Sequence, residues 1–150
     1  MSRVYGRLLD SLVYIEGDTL NPDRLRESIG LTTVAVERPG RVETDLDGTE
    51  LDALPGQWIA RTAGRLQSSS VDEHLHFLLG ILRPHRAMLR ELAAGPRGRV
   101  WIGLEVVTEE ESGLGLSLDA ALSAAVRELG ADVWVFAPGD IPGAELPPSA

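Results

Sequence analysis

Three histidines are the residues of this chain best suited to metal binding or acid–base chemistry, because the sequence contains neither cysteine nor lysine. His74 and His76 stand two positions apart, and on a helix their side chains would point about 160° apart. His85 lies on the same side as His74 but about 16 Å further along the helix axis. We therefore expect no metal site here, and we predict no catalytic residue and no cofactor for the chain.

A second group of potential ligands is a run of carboxylates around Gly48, made up of Glu43, Asp45, Asp47, Glu50 and Asp52. The spacing resembles the first half of an EF-hand calcium loop. The register that places Gly48 at the sixth position, however, puts Leu54 where the bidentate glutamate belongs. Two interpretations stay open, which are weak calcium binding and a solvent-exposed acidic loop.

The overall charge favours a protein partner. The chain has 14 basic residues, all of them arginine, against 23 acidic ones, so its net charge is −9. Such a charge steers a domain toward a basic protein, whereas binding of duplex nucleic acid depends on neutralising phosphates. We therefore expect a non-catalytic interaction module of the immunity or antitoxin type, with no nucleic-acid partner. Its contact surface would combine the acidic loop with a second run, Glu109, Glu110 and Glu111.

A small-molecule-binding domain or an enzyme is the alternative function. Three tryptophans fall on three different predicted strands, so two of them could share a face of a sheet and form the floor of a groove. The pocket in this alternative is lined by Trp58, Trp101, Arg83, Arg86 and Arg90. Burial of all three indoles, including Trp134, would argue against it.

Five strands are predicted to position these residues. The segment from Leu8 to Ile15, the β-branched run from Thr32 to Val36, Gly56 to Arg61, the alternating segment from Val100 to Val106, and Asp132 to Ala137 all have strand character. Residues 38–55 contain several Gly and Pro residues and no periodicity, which indicates a loop.

Three helices are predicted between the strands. Asn21 as N-cap, Pro22 at the first position and Gly30 as C-terminal cap define the first helix. Ser70 and Glu73 have capping-box spacing before the longest helix, which Pro84 should kink or split. Ser117 is the expected cap of the third helix, which Gly130 closes.

The resulting order, β-α-β-β-α-β-α-β, predicts an α/β (α+β) fold. Each helix has one apolar stripe, so we expect a two-layer sandwich in which three helices cover one face of a mixed five-stranded sheet. We expect one globular domain at residues 1–137 and a disordered Pro- and Gly-rich tail at 138–150. No apolar run reaches the roughly 20 residues needed to cross a bilayer, and the first residues lack the pattern of a signal peptide. We therefore expect a cytoplasmic protein that does not bind membranes.

An ordered series of short motifs runs through the chain. Its members are Gly17-Asp18-x-Leu20-x-Pro22, Gly30-Leu31, Gly40, Gly56-x-Trp58, the segment from Val71 to Leu75, Leu78-Leu79, Leu82-x-Pro84, Ser117-Leu118 and Glu128-Leu129-Gly130. Over residues 8–136 this series resembles a bacterial family known as domain of unknown function 4279. One departure is Thr32-Thr33, where the family pattern favours proline. The resemblance implies a small α/β domain and supplies no catalytic residue.

Overall fold

The computed structural model describes residues 1–62, 65–108 and 115–140. Its strands are β1 (Arg3–Val4), β2 (Arg7–Gly17), β3 (Thr32–Glu37), β4 (Gly56–Arg61), β5 (Arg99–Val107), β6 (Leu116–Ser117) and β7 (Asp132–Phe136). Its helices are α1 (Pro22–Ser28), α2 (Val71–Leu82), α3 (Arg86–Ala94) and α4 (Ala120–Glu128), with a 3₁₀ turn (Arg83–His85) between α2 and α3.

Strand β2 lies at the centre of a mixed five-stranded sheet with the order β3-β4-β2-β5-β7. It pairs antiparallel with both β4 and β5, while β5 and β7 are parallel. The run from Leu12 to Ile15 explains this position, because four consecutive apolar residues place apolar side chains on both faces of a strand. The predicted mixed five-stranded sheet is confirmed.

The helices form a layer on one face of this sheet. Leu25 of α1, Leu78 of α2, Leu89 of α3 and Val126 of α4 belong to one buried cluster, together with Val13 of β2. The expected split of the long helix at Pro84 is confirmed: the 3₁₀ turn there separates α2 from α3. The two-layer arrangement predicted from the apolar stripes is therefore present.

Two predicted helix caps are wrong. Ser117 does not cap α4, because it lies in β6, opposite Arg3 in a small second sheet. The cap is Asp119, whose carboxylate accepts a hydrogen bond of 2.9 Å from the backbone N–H of Ala121. Helix α1 ends on Ile29, whose own N–H reaches back to the carbonyl of Leu25, so Gly30 is not needed as a cap.

Other predicted caps are present in whole or in part. The side chain of Asn21 accepts from the first backbone N–H groups of α1, and Gly130 follows α4 with a φ of +72°. Ser70 Oγ accepts from the N–H of Glu73 at 3.2 Å, but the N–H of Ser70 donates to Ser68 Oγ instead of to Glu73. Half of the expected capping box is therefore formed.

Some predictions fall outside the described part of the chain. These are the acidic run Glu109, Glu110 and Glu111 and most of the tail expected to be disordered, residues 141–150. Among the described residues, no helix combines the length and the apolar character that a membrane span requires.

The packing around two glycines predicts opposite effects of the same substitution. A Cβ on Gly98 would stand 1.7 Å from the carbonyl oxygen of Leu92, whereas a Cβ on Gly80, inside α2, would meet nothing within 4 Å. We expect Gly98→Ala to lower the free energy of unfolding by about 2 kcal/mol. Gly80→Ala should raise it by roughly 0.5–1 kcal/mol, because alanine favours the helix. Urea denaturation measures both, and a Gly98→Ala protein as stable as wild type would contradict the described turn.

Candidate functional site

The acidic segment forms a β-hairpin. Thr44 and Glu50 pair antiparallel, and the N–H of Leu51 donates to the carbonyl of Glu43 at 2.8 Å. One carboxylate oxygen of Asp45 accepts the backbone N–H groups of Asp47 and Thr49, both at 2.9 Å. The flanking elements are strands β3 and β4, so this is a hairpin turn and lacks the helix-flanked architecture of an EF-hand.

Residues 41–52, which we call the acidic hairpin, are all exposed. Three of them are apolar: Leu46 is fully exposed, and Val42 and Leu51 are each about half exposed. Arg41 forms a salt bridge of 3.1 Å with Glu43. The remaining acidic side chains make no salt bridge with any described residue: Asp45, Asp47, Glu50 and Asp52. The hairpin therefore presents apolar side chains among carboxylates that mostly form no salt bridge, and one of these, Asp52, interacts electrostatically with Arg97.

The base of the acidic hairpin is fixed to the rest of the fold. The N–H of Leu54 donates to the carbonyl of Arg41 at 2.8 Å, which closes the hairpin at its base. Arg97, just before β5, donates to the carbonyl of Ala53 and forms a salt bridge of 2.6 Å with Asp18. These contacts join the hairpin to the turns that follow β2 and α3.

The sheet separates the residues of the alternative ligand pocket. Trp58 pairs with Ile15, and Trp101 pairs with Tyr14, the next residue of β2. Because successive residues of a strand point to opposite faces, the two indoles lie on opposite sides of the sheet. Trp58 is fully buried under the helices, and its Nε1 donates to Thr33 Oγ1 at 3.1 Å.

The three arginines of that pocket lie in the helical layer. Arg83 is the C-cap residue of α2, Arg86 begins α3, and Arg90 donates to the carbonyl of Glu128 at the end of α4. The structure therefore does not bring Trp58, Trp101 and these arginines together. Its geometry depends on the register of β2 against β4 and β5, which sequence spacing does not determine.

The face of the sheet opposite the helices carries a row of aromatic rings. The rings of Tyr14 and Trp101 stack with centroids 4.7 Å apart, and Trp101 and Trp134 follow at 4.9 Å. The guanidinium of Arg99 lies 5.4 Å from the centroid of Trp101. Trp134, on an edge strand, is about half exposed. Two of the three tryptophans thus share a face, as the alternative function requires.

A charged cluster borders this aromatic row. Arg61 donates to Glu105 through two nitrogens, at 3.1 and 3.3 Å, and to Asp10 at 3.4 Å. Burial disfavours the charged guanidinium, but the hydrogen bonds to Glu105 and Asp10 outweigh burial and hold the pKa of Arg61 above its ordinary value. One guanidinium therefore pairs with two carboxylates, and the three groups are held together within the protein.

A buried serine and histidine form a pair that sequence analysis missed. His74 Nε2 lies 2.7 Å from the carbonyl oxygen of Ser68, so this nitrogen donates. In the neutral ring Nδ1 then accepts the hydroxyl of Ser11, at 2.6 Å. Both side chains are buried, so the pair connects α2 to β2 and is closed to substrate. The only sequence signal was the polar Ser11 within an apolar strand.

We expect removal of the Ser11 hydroxyl to destabilise the fold. Ser11→Ala leaves Nδ1 of His74 without a partner in the core, which costs about 1–3 kcal/mol of unfolding free energy. Ser28→Ala, at an exposed position of α1, serves as the control and should change it by less than about 0.5 kcal/mol. Equal stabilities of the two variants in urea would show that the buried pair is not stabilising.

We expect the folded protein to lose stability at alkaline pH because of the buried hydroxyl of Tyr14. Burial, followed by the hydrogen bond that its hydroxyl donates to Glu16, raises the pKa of Tyr14 well above its ordinary value. A raised pKa means that the stabilisation is complete below the unfolded-state value of about 10 and is lost as the pH rises toward the folded-state value. Unfolding free energies measured across this range should fall less steeply for Tyr14→Phe than for wild type. Parallel pH profiles would contradict the described environment.

Comparison with known proteins identifies the family. The sequence profile of the family described as "Domain of unknown function (DUF4279)" matches residues 11–138, from the middle of β2 to just beyond β7. No curated protein and no solved structure matches the chain. The matched region includes the acidic hairpin, the aromatic row and the buried His74, and it covers most of the residues that suggested the resemblance. The chain therefore belongs to the DUF4279 family.

Proposed function

We propose that this protein is a non-catalytic interaction module of the bacterial cytoplasm, of the immunity or antitoxin type, which binds a basic protein through its acidic hairpin. One observation carries the proposal: an ordered hairpin holds Leu46 fully exposed among carboxylates. Together with the half-exposed Val42 and Leu51, Leu46 gives the hairpin apolar surface that a protein partner can bury.

The chemistry of the hairpin fits a protein interface. Binding energy at such interfaces concentrates in a few side chains that become buried, and surrounding residues exclude water from them. Leu46, Val42 and Leu51 would supply the buried apolar contacts. The surrounding carboxylates of Asp47, Glu50 and Asp52 would attract a basic partner and orient it, since complementary charge raises association rates.

The attachment of the hairpin also favours binding. Ordering a flexible loop on association costs free energy, and a loop that is already ordered avoids that cost. Arg97 and the hydrogen bond between Arg41 and Leu54 at the base of the hairpin supply this order. Glu109, Glu110 and Glu111 belong to the proposed surface on the basis of their charge alone.

We expect partner binding to depend on Leu46 and on the free carboxylates of the hairpin. The immobilised protein is used to capture partners from host lysate at low salt, and each captured protein is purified for affinity measurements. Leu46→Ser should weaken binding about tenfold or more at any salt concentration. The triple variant Asp47→Asn, Glu50→Gln, Asp52→Asn should slow association at low salt and approach wild type at high salt.

Matched controls make this test specific to the hairpin. Glu27→Gln, Glu91→Gln and Glu128→Gln together change the net charge equally but at exposed helical positions, and this variant should associate faster than the hairpin variant. Wild-type affinity in Leu46→Ser would exclude the hairpin as the interface. Loss of binding in Trp134→Ala with none in Leu46→Ser would move the interface to the aromatic face.

Binding of a small molecule on the aromatic face is the second candidate function. The stacked rings of Trp101 and Trp134, with Arg99 above one of them, favour it because flat ligands stack on such surfaces. We rank it second because the nearby acid–base groups are hydrogen-bonded to one another. The phenol of Tyr14 donates a hydrogen bond to Glu16, and the guanidinium of Arg61 donates to Glu105.

A further inference from the structure

A groove between α2 and α4 lies on the helical side of the molecule, away from the aromatic face. Its volume is about 380 Å³, within the range of small-molecule sites. One wall carries His76 and Arg83, and the opposite wall is the small and apolar face of α4, formed by Ala121, Leu122 and Ala125. Asp72, Asp119 and Met1 complete the lining. The groove is therefore polar along one side and apolar along the other.

The spacing of the two basic residues directs both side chains into the groove. His76 and Arg83 are seven residues apart, which is two helical turns, so they share one face of α2 about 10 Å apart along its axis. Arg83 is the C-cap residue and retains helical backbone angles, so the spacing holds up to that position. The flexible arginine side chain can span much of this distance to meet a ligand beside His76.

The acidic residues of the groove are already engaged by the protein. Asp72 accepts the backbone N–H of Ser2 with both carboxylate oxygens, at 3.0 and 3.2 Å. Hydrogen bonding to Ser2, first through its side chain and then through its backbone, lowers the pKa of Asp72. Asp119 caps α4 through the N–H of Ala121 at 2.9 Å. These carboxylates therefore hold the ends of the groove in place and leave little capacity to bind a cation.

The basic residues, in contrast, retain free donors. Among the described residues, the side chains of His76 and Arg83 form no hydrogen bond and no salt bridge, although His76 interacts electrostatically with Asp72. Other arginines of the chain, such as Arg61 and Arg97, are paired with carboxylates. The N–H groups of these side chains can therefore donate hydrogen bonds to a ligand. A guanidinium pairs well with a planar carboxylate, because the two can form two parallel hydrogen bonds.

We propose that this groove binds a small organic monocarboxylate. The carboxylate lies against the Arg83 guanidinium, His76 donates a ring N–H to it, and the aliphatic part of the ligand covers Ala121, Leu122 and Ala125. The nearby negative charges of Asp72 and Asp119 disfavour a dianion such as a phosphate monoester, because like charges repel at short range. This site is independent of the acidic hairpin and of the proposed protein partner.

Titration with sodium butyrate, followed by amide resonances in two-dimensional NMR spectra, tests the proposal. We expect saturable shifts at Ala121, Leu122 and Ala125, and no saturable shifts with butan-1-ol, which has the same carbon chain but no charge. Arg83→Gln should weaken butyrate binding about tenfold or more, since it removes the charged bidentate partner. Arg86→Gln, which removes an exposed arginine outside the groove, should leave the affinity within about twofold of wild type.

A second variant keeps the test decisive. His76→Gln removes the other basic group, which is exposed, and should also weaken butyrate binding; it decides the question should Arg83→Gln fail to fold. Absence of saturable shifts at the α4 residues, equal responses to butyrate and butan-1-ol, or equal affinities of Arg83→Gln and Arg86→Gln would each overturn the proposal. None of these outcomes bears on partner binding by Leu46.

Discussion

The central strand β2 is apolar on both faces, and the rest of the fold follows from this constraint. Val13 and Ile15 point toward the helices, while Leu12 and Tyr14 point to the opposite face. All four side chains can be buried only if other residues pack on both faces of the sheet. Each of them that stayed exposed would lose about 1.5–3 kcal/mol of hydrophobic stabilisation. The helices supply one cover, and the second cluster consists of strand residues only.

The second cluster can form because position 103 of β5 is a glycine and has no side chain. A Cβ on Gly103 of β5 would lie 2.6 Å from the ring of Phe136 and 2.9 Å from Leu12, so glycine leaves the space in which these two side chains lie. The aromatic row is thus a consequence of packing as well as a candidate surface.

Most local features and the two-layer architecture could be predicted from the sequence, but the pairing and register of the strands could not. The cap at Asn21 and the break at Pro84 depend on a few neighbouring residues, and both were predicted correctly. Ser117 has the right chemistry for a cap, but its backbone pairs with Arg3, more than a hundred residues away. The faces of Trp58 and Trp101 depend similarly on strand pairing. Only the apolar run in β2 signals that both faces of the sheet are covered.

The base of the acidic hairpin is held by Arg97, whose unusual backbone conformation no short sequence motif predicts. Arg97 has a φ of +51°. In the described ranges it is the only residue other than glycine whose φ is positive. This conformation costs about 1–2 kcal/mol for a residue with a side chain. In return its guanidinium contacts Asp18 and the carbonyl of Ala53 at the base of the hairpin. The strain therefore lies next to the surface that we propose for partner binding, where stored strain is commonly found.

Polar groups of this fold divide into ones that are hydrogen-bonded internally and ones that are free at the surface. Three groups that could transfer protons are hydrogen-bonded inside the protein: His74 to Ser11, Tyr14 to Glu16, and Arg61 to Glu105. A general acid or base must exchange its proton with substrate, which these internal bonds and the burial of His74 oppose. Free charges lie instead at the surface, on the acidic hairpin and in the α2–α4 groove. Free surface charge of this kind can attract charged partners and ligands, which is the property that both of our proposals use.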